Sequence, residues 1–404
     1  MHVMQSLQKF GVIPAATITD SEYGDLMAAI QTNRVFASDG TMFGIMKYQQ
    51  LDPHWLEAVV NMILTELYGY SEFYAPNLDC KADKGAKYCC VPKPVALPKA
   101  TSGDIKIAIL GDWGTGQSDA QQVMKSAISK KPDYLIHLGD VYYTGTPPFH
   151  LDEIYLGEDM EQEHLVDLWP KNMATGRSFT MNSNHEMYCG ARGLFQVALA
   201  NDIFAAQQGK SYFLLQNEAW QIFGLDSGFA SPDFLKMNGA LNQEQIDFVR
   251  ANVDRSKQTI FLTHHTGISP DGTQIVYNNV EQTTGLILDV SNALSPTELP
   301  TPTSGPAQPQ YAPDYWYWGH VHDGIVYTPW KIGGKDCNMR CSGNASMPYG
   351  APWGLTRAGS TLPFDKGDFL PSIEFFSQTP MCENDYAGQV KNGFSMITLN
   401  GDTI

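Results

Sequence analysis

Long apolar runs are missing from this chain. Nothing in its 404 residues approaches the roughly 20 consecutive apolar positions that a membrane-spanning helix needs, so no such helix is expected. Basic residues are scarce. Lys and Arg number 26 against 43 Asp and Glu, and the net charge is −17. A groove that tracks nucleic-acid phosphates needs the opposite balance, which argues against general nucleic-acid binding. The opening stretch, MHVMQSLQKF, has neither the basic nor the apolar segment of a signal peptide, so the default expectation is a cytoplasmic chain. The seven cysteines show no Cys-x-x-Cys spacing. That speaks against a zinc module and for buried thiols or one or two disulfides. There is no Gly-x-Ser-x-Gly and no P-loop, so nothing suggests a protein nucleophile or a nucleotide cradle.

What is present is enough apolar residue, 43%, to bury a sizeable core. Residues 1–98 read as a partly helical N-terminal region, with helix candidates at 21–33 and 55–67 and a hairpin candidate at 35–47. It suits an oligomerisation surface, a lid, a targeting piece or a docking part. Residues 91–103, VPKPVALPKATSG, read as a linker into a second domain over 99–404.

That domain opens with a βαβ unit. Ile105–Leu110 is a β-branched run without breakers, followed by Gly111 and Asp112. Residues 117–130 have helical periodicity, and Pro132 stops them. Residues 134–138 form the second strand, followed by Gly139 and Asp140. Parallel strands that end in carboxylates bring those carboxylates to the edge where open α/β sheets bind ligands. Downstream, the short strand candidates 178–181, 259–263 and 315–318 end at Asn184-His185, at His264-His265, and at His320 and His322. Paired strands are expected at 211–215 and 220–225, and an amphipathic helix at 243–253. Residues 269–313 form a long insertion with a Pro/Thr-rich, irregular end. Strands at 324–327, 338–341 and 394–399 fit a second sheet. One Gly-Asp is usually a solvated turn. Five apolar runs, each ending in Asp, Asn, His or Tyr, are a different matter. These are ligand types for hard or borderline cations such as iron, manganese and zinc.

At these residues the chain resembles the metallophosphoesterase (calcineurin-like phosphoesterase) superfamily, and within it the purple acid phosphatases. The pattern GDxG, GDxxY, GNH(E/D), VxxH, GHxH stands here in order. It reads Gly111-Asp112-Trp113-Gly114, Gly139-Asp140-Val141-Tyr142-Tyr143, Ser183-Asn184-His185-Glu186, Phe261-Leu262-Thr263-His264 and Gly319-His320-Val321-His322. Gly114 stands where many members have a metal-binding His, and Tyr143 stands where the purple acid phosphatases supply a tyrosinate. On that reading Tyr142 only packs. Ser183 departs from the Gly of the third motif, and a different local backbone could follow.

The resemblance implies a four-layer α/β/β/α sandwich of two mixed sheets with flanking helices. It implies two metal ions. Asp112, Asp140, Tyr143 and His322 would hold Fe(III), and Asp140, Asn184, His264 and His320 would hold Fe(II), Zn or Mn, with Asp140 bridging. Asp140 and His185 would be catalytic, and Asn184, His185 and His265 would meet substrate, with His265 alternatively supporting the site from behind. Two cations about 3.5–4 Å apart lower the pKa of bound water toward roughly 7 and so generate the hydroxide that attacks phosphorus. The implied function is a phosphomonoesterase on small phosphate esters. The alternatives are a phosphodiesterase on nucleotide, cyclic-nucleotide or lipid head-group diesters, and a catalytic domain delivered by, or acting as, a partner-binding module. Cys189 lies close behind the third motif and reads as an inert buried thiol.

Overall fold

A computed structural model describes residues 91–142 and 158–404, apart from 174, 234, 278–283, 300–305, 348–352, 361–363, 380–389 and 402. The helix and hairpin candidates before residue 91 lie outside these residues, as do Tyr143 and the loop 144–150.

Thirteen strands and five α-helices are described. In chain order they are β1 (Val95–Ala96), β2 (Ile105–Leu110), α1 (Ser118–Ser129), β3 (Tyr134–His137), α2 (Glu158–Glu161, continued as a π-turn over Gln162–Val166), β4 (Ser178–Thr180), α3 (Asn184–Met187), β5 (Phe213–Gln216), β6 (Trp220–Gly224), α4 (Gln243–Asn252), β7 (Gln258–Leu262), α5 (Leu286–Leu294), β8 (Tyr315–Trp318), β9 (Gly324–Tyr327), β10 (Trp330–Ile332), β11 (Lys335–Ser342), β12 (Ile373–Phe376) and β13 (Ser395–Leu399). They form two mixed sheets. The smaller runs β13-β2-β3-β4, with β2, β3 and β4 parallel and β13 antiparallel to β2. The larger runs β1-β5-β6-β7-β8-β11-β9-β12, with β10 paired to β11; β6, β7, β8 and β11 are parallel.

Strand alternation sorts side chains into layers. In β2, Ile105, Ile107 and Ile109 face β5–β8 across the sandwich, with Ile136 beside them and Leu215, Ile222, Ile260 and Leu262 opposite. Ala108, Leu110 and Leu135 face outward, onto Val123, Met124 and Ala127 of α1. On the other flank, Phe223, Phe261, Trp316 and Trp318 pack against Ile246, Phe248 and Val249 of α4 and Ile287 and Val290 of α5. The order of layers is helix, sheet, sheet, helix, as expected.

Three details differ from the sequence reading. Residues 91–103 are not a bare linker: Val95 and Ala96 pair parallel to Leu215 and Gln216, so this stretch contributes an edge strand. Gly324–Tyr327 and Lys335–Ser342 extend the sheet of β5–β8, whereas Ser395–Leu399 joins the sheet of β2. The insertion after residue 269 holds the helix α5, whose Leu286, Ile287, Val290, Ala293 and Leu294 are all buried. No helix among the described residues is long and apolar enough to cross a membrane.

Candidate metal centre

The ends of both sheets converge. β2, β3 and β4 deliver Asp112, Asp140 and Asn184, and β7 and β8 deliver His264, His320 and His322; all six are buried. Four of them, Asp112, Asp140, His320 and His322, sit at positive φ, between 53° and 74°. L-residues avoid this region, and such strain persists where surrounding structure enforces it, commonly at functional sites. The enforcement here is close packing. A Cβ on Gly111 would lie 2.5 Å from the Ser342 carbonyl oxygen, so only glycine lets β2 turn there. The His320 amide then donates to Asp112 Oδ2 at 2.8 Å, tying the two sheet ends together.

The polar atoms fall into two groups that share Asp140. In one, Asp112 Oδ1 lies 3.1 Å from His322 Nε2, and Asp140 Oδ2 lies 3.8 Å from the same nitrogen. In the other, His264 Nε2 lies 3.2 Å from Asp140 Oδ1 and 3.0 Å from Asn184 Oδ1, and His320 Nδ1 lies 3.1 Å from that same amide oxygen. His264 decides what this second group is. Its Nδ1 is 2.9 Å from the Leu138 carbonyl oxygen, which can only accept, so Nδ1 carries the proton. Burial pushes the His264 pKa down to about 3, so the ring is neutral. Its Nε2 lone pair then faces two further acceptors. Three lone-pair donors converging at about 3 Å repel one another unless a cation lies among them, and ligands about 2.1 Å from one ion at right angles are about this far apart. The set of one carboxylate, one amide and two imidazoles therefore fits a divalent cation.

In the first group a proton fills the same need. Burial, and then the neighbouring Asp140, raise the Asp112 pKa to about 8. Burial disfavours a charged His322, yet the Asp112 carboxylate outweighs it and raises that pKa to about 9. Burial likewise works against a charged Asp140, but hydrogen bonds from the His322 and Asp112 side chains help to hold its carboxyl well below the usual range. Cation binding would displace these protons.

The first group has a member that the sequence reading assigned to packing. The Tyr142 hydroxyl is 2.6 Å from Asp140 Oδ2, 3.1 Å from Asp112 Oδ1 and 3.1 Å from His322 Nε2. The expectation that Tyr142 only packs is therefore corrected. After the left-handed Asp140, Val141 bridges to Gly114 and the Tyr142 amide donates to the Gly114 carbonyl at 2.8 Å, which turns Tyr142 inward. Motif spacing alone cannot report that turn.

His185 belongs to neither of these two groups of polar atoms. It is buried between Tyr142 and Tyr188, at ring-centroid distances of 4.4 and 5.1 Å, and burial lowers its pKa to about 4. His265 differs from the substrate-binding expectation. Its Nε2 lies 2.7 Å from the Lys236 carbonyl oxygen and its Nδ1 lies 2.9 Å from Ser227 Oγ. Both ring nitrogens are thus committed to protein partners. The ring packs on His264 and His320 at 4.9 and 4.7 Å, where it braces the two imidazoles from behind. The turn that presents Ser227 is held by Asp226, which accepts from the Gly228 and Phe229 amides and from Asn182 and Ser211. No local signal in the sequence marks that support.

Ser183 does not disturb its turn. Its φ is −140°, which any residue adopts, and its hydroxyl caps α3 by accepting from the His185 amide at 2.9 Å. Cys189 is buried and reduced, and burial raises its thiol pKa to about 12, which agrees with an inert thiol. Cys337 and Cys341 are also free and buried; the other four cysteines lie outside the described residues.

The model of the calcineurin-like phosphoesterase family matches residues 105–324, more than half of the chain and all of the ligand-bearing strand ends. No curated protein matches. Solved structures with a similar course include GAP50, the anchor in the inner membrane complex of Plasmodium, at 11% identity and a TM-score of 0.42, over 73% of this chain and 81% of that one. Another is a purple acid phosphatase from yellow lupin (Lupinus luteus) seeds, at 14% identity and a TM-score of 0.40, over 76% of this chain and 51% of that one.

Proposed function

The chain belongs to the calcineurin-like phosphoesterase family, and on that premise we propose that it hydrolyses phosphate monoesters at a two-cation site. One cation would be held by Asp112, Asp140, Tyr142 and His322, and the other by Asp140, Asn184, His264 and His320. The observation that carries this reading is the neutral His264, whose Nε2 lone pair faces Asp140 Oδ1 and Asn184 Oδ1 at 3.2 and 3.0 Å. When bound, the pair supplies an activated water and neutralises charge on the phosphoryl oxygens. The protein's share is placement. Asp140 would serve both cations, because its two carboxylate oxygens face different groups. His185, kept neutral by burial, presents its ring beside the site to the phosphate or the departing oxygen. His265 and Ser227 keep the imidazoles of β7 and β8 in place.

A phenolate is a hard anionic ligand suited to Fe(III), which makes Tyr142 the iron-side ligand in this reading. Tyr143 remains a second candidate on motif spacing alone. The deciding experiment compares turnover of p-nitrophenyl phosphate with bis-p-nitrophenyl phosphate, with metal content and visible absorption read on the same samples. The expected result is monoester preference, two metal ions per chain and a tyrosinate–iron band that Tyr142→Phe abolishes. A band that survives Tyr142→Phe and disappears in Tyr143→Phe would move the ligand to Tyr143. Preference for the diester would make the enzyme a phosphodiesterase.

A further inference from the structure

Two buried residues beside the metal centre, Ser183 and Glu186, belong to neither ligand group. Glu186 is the third residue of α3 and Ser183 is its cap. The pattern Ser-x-x-Glu ordinarily makes a capping box, in which the glutamate reaches back to the amide of the capping residue. Here the Glu186 carboxylate leaves its own helix. Its Oε1 accepts from the Val141 amide at 3.1 Å, and its Oε2 accepts from the Asp140 amide at 3.3 Å. Oε2 also accepts from the Ser183 hydroxyl, and the same Ser183 oxygen accepts from the His185 amide.

These bonds join two segments that no strand pairing joins at this point. One segment carries Asp140, and the other carries Asn184 and His185. The join falls where the backbone needs it most. Gly139 and Asp140 have consecutive positive φ values of 98° and 74°, a conformation that turns the following amides away from the β3 ladder. Without an acceptor those amides would be buried and unpaired, which is costly. The packing is close as well. A Cβ on Gly139 would lie 2.8 Å from the Ser183 Cβ, and one on Gly228 would lie 2.7 Å from the Ser183 carbonyl oxygen. Ser183 is thus wedged between the turn of Asp140 and the turn that presents Ser227.

We infer that Ser183 and Glu186 form a clamp that fixes the turn of Asp140 relative to Asn184, and so sets the separation of the two cation positions. Both are positioning residues, because their polar atoms meet backbone amides and each other and belong to neither ligand group. This inference rests on the two-cation reading above. Ser183 adds what a glycine at that position lacks: a hydroxyl that caps α3 and donates to Glu186 at once. Partners of this kind, which orient metal ligands without binding metal, typically change metal affinity by roughly 10- to 100-fold when removed.

The test uses the full chain with Glu186→Met, which removes both acceptor oxygens at similar length, and Ser183→Gly, which removes the hydroxyl without adding bulk. Ser183→Ala serves as a second hydroxyl-free variant should the glycine unsettle the fold. Two quantities are read. The first is hydrogen exchange of the Asp140 and Val141 amides in metal-free protein. The second is Mn²⁺ binding, by affinity and stoichiometry, with circular dichroism to verify folding. Exchange at both amides should quicken in Glu186→Met, and Mn²⁺ should bind roughly 10- to 100-fold more weakly. Ser183→Gly should shift both in the same direction by less. Turnover at limiting Mn²⁺ should fall in both and recover with excess Mn²⁺. Parent-like exchange and parent-like Mn²⁺ affinity in folded variants would overturn the clamp. If the parent itself bound no Mn²⁺, the two-cation reading would fail instead. The amide exchange would still decide whether Glu186 holds the turn.

Discussion

The two sheets contribute differently to one site. The smaller sheet brings oxygen: Asp112, Asp140, the amide of Asn184 and the hydroxyl of Tyr142. The larger sheet brings nitrogen: His264, His320 and His322. Neither set is complete alone. The carboxylates by themselves would repel one another, and neutral imidazoles bring no negative charge to balance a cation. The centre therefore depends on the apolar layer between the sheets as much as on the ligands. Ile107, Ile136, Ile260 and Leu262 are fully or almost fully buried there and fix one sheet end against the other.

The contrast between the sheets can be broken one side at a time. Replacing His264 by Ala takes nitrogen from the larger sheet, and replacing Asn184 by Ala takes oxygen from the smaller. Each should remove one cation and leave the other, with turnover lower by on the order of 100-fold. Metal content measured beside activity checks this. A variant that kept two cations at full affinity would show that its side chain is not a ligand.

Next comes the layer that joins the sheets. Ile136→Ala and Ile287→Ala both truncate a fully buried isoleucine, the first between the sheets and the second in α5 on the outer flank. Each should cost about 2–5 kcal/mol in denaturant unfolding. Only Ile136→Ala should also weaken metal binding, because only it loosens the alignment of oxygen and nitrogen ligands. Equal effects of the two on metal affinity would remove the assigned role of the inter-sheet layer.

The smallest effect sharpens the same contrast by leaving the site alone. Asp289, in α5, accepts from the Leu241 amide at 2.9 Å, yet burial raises its pKa from 3.8 to about 6. The folded chain thus holds that proton more tightly than the unfolded chain does. Its contribution to stability falls as pH rises from about 4 to about 6 and is level above that. Asp289→Asn should remove that slope and stabilise the protein at pH 7 by on the order of 1 kcal/mol, with turnover unchanged. Unfolding midpoints at pH 4 and pH 7 measure it.

The sequence revealed the centre better than the architecture around it. Ile105–Leu110 announced itself as a strand because six residues without a breaker ended in Gly-Asp, and the same logic found β3, β7 and β8. Whether a strand joins one sheet or the other is not a local property. β13 therefore fell to the wrong sheet in the sequence reading, though its extent was nearly right. Helix α5 escaped notice because it is short, only Leu286–Leu294, and lies inside a long insertion whose Pro/Thr-rich end reads as irregular. At the site, the convergence of these polar side chains was legible from motif order, but their direction was not. A left-handed Asp140 changes where the next side chains point, and that is why Tyr142 entered the cluster unannounced. His265 illustrates the same limit: adjacency to His264 gave no hint that Ser227 and Lys236 hold both of its nitrogens.

The most direct test of the account is a count of metal ions per chain in the parent and in Asp140→Asn after reconstitution with iron and either zinc or manganese. Asp140 is the one residue that belongs to both ligand groups. The account predicts two ions in the parent, fewer than one in the variant, and turnover lower by at least about 1000-fold. A parent that binds no metal, or a variant that keeps two ions, would contradict it.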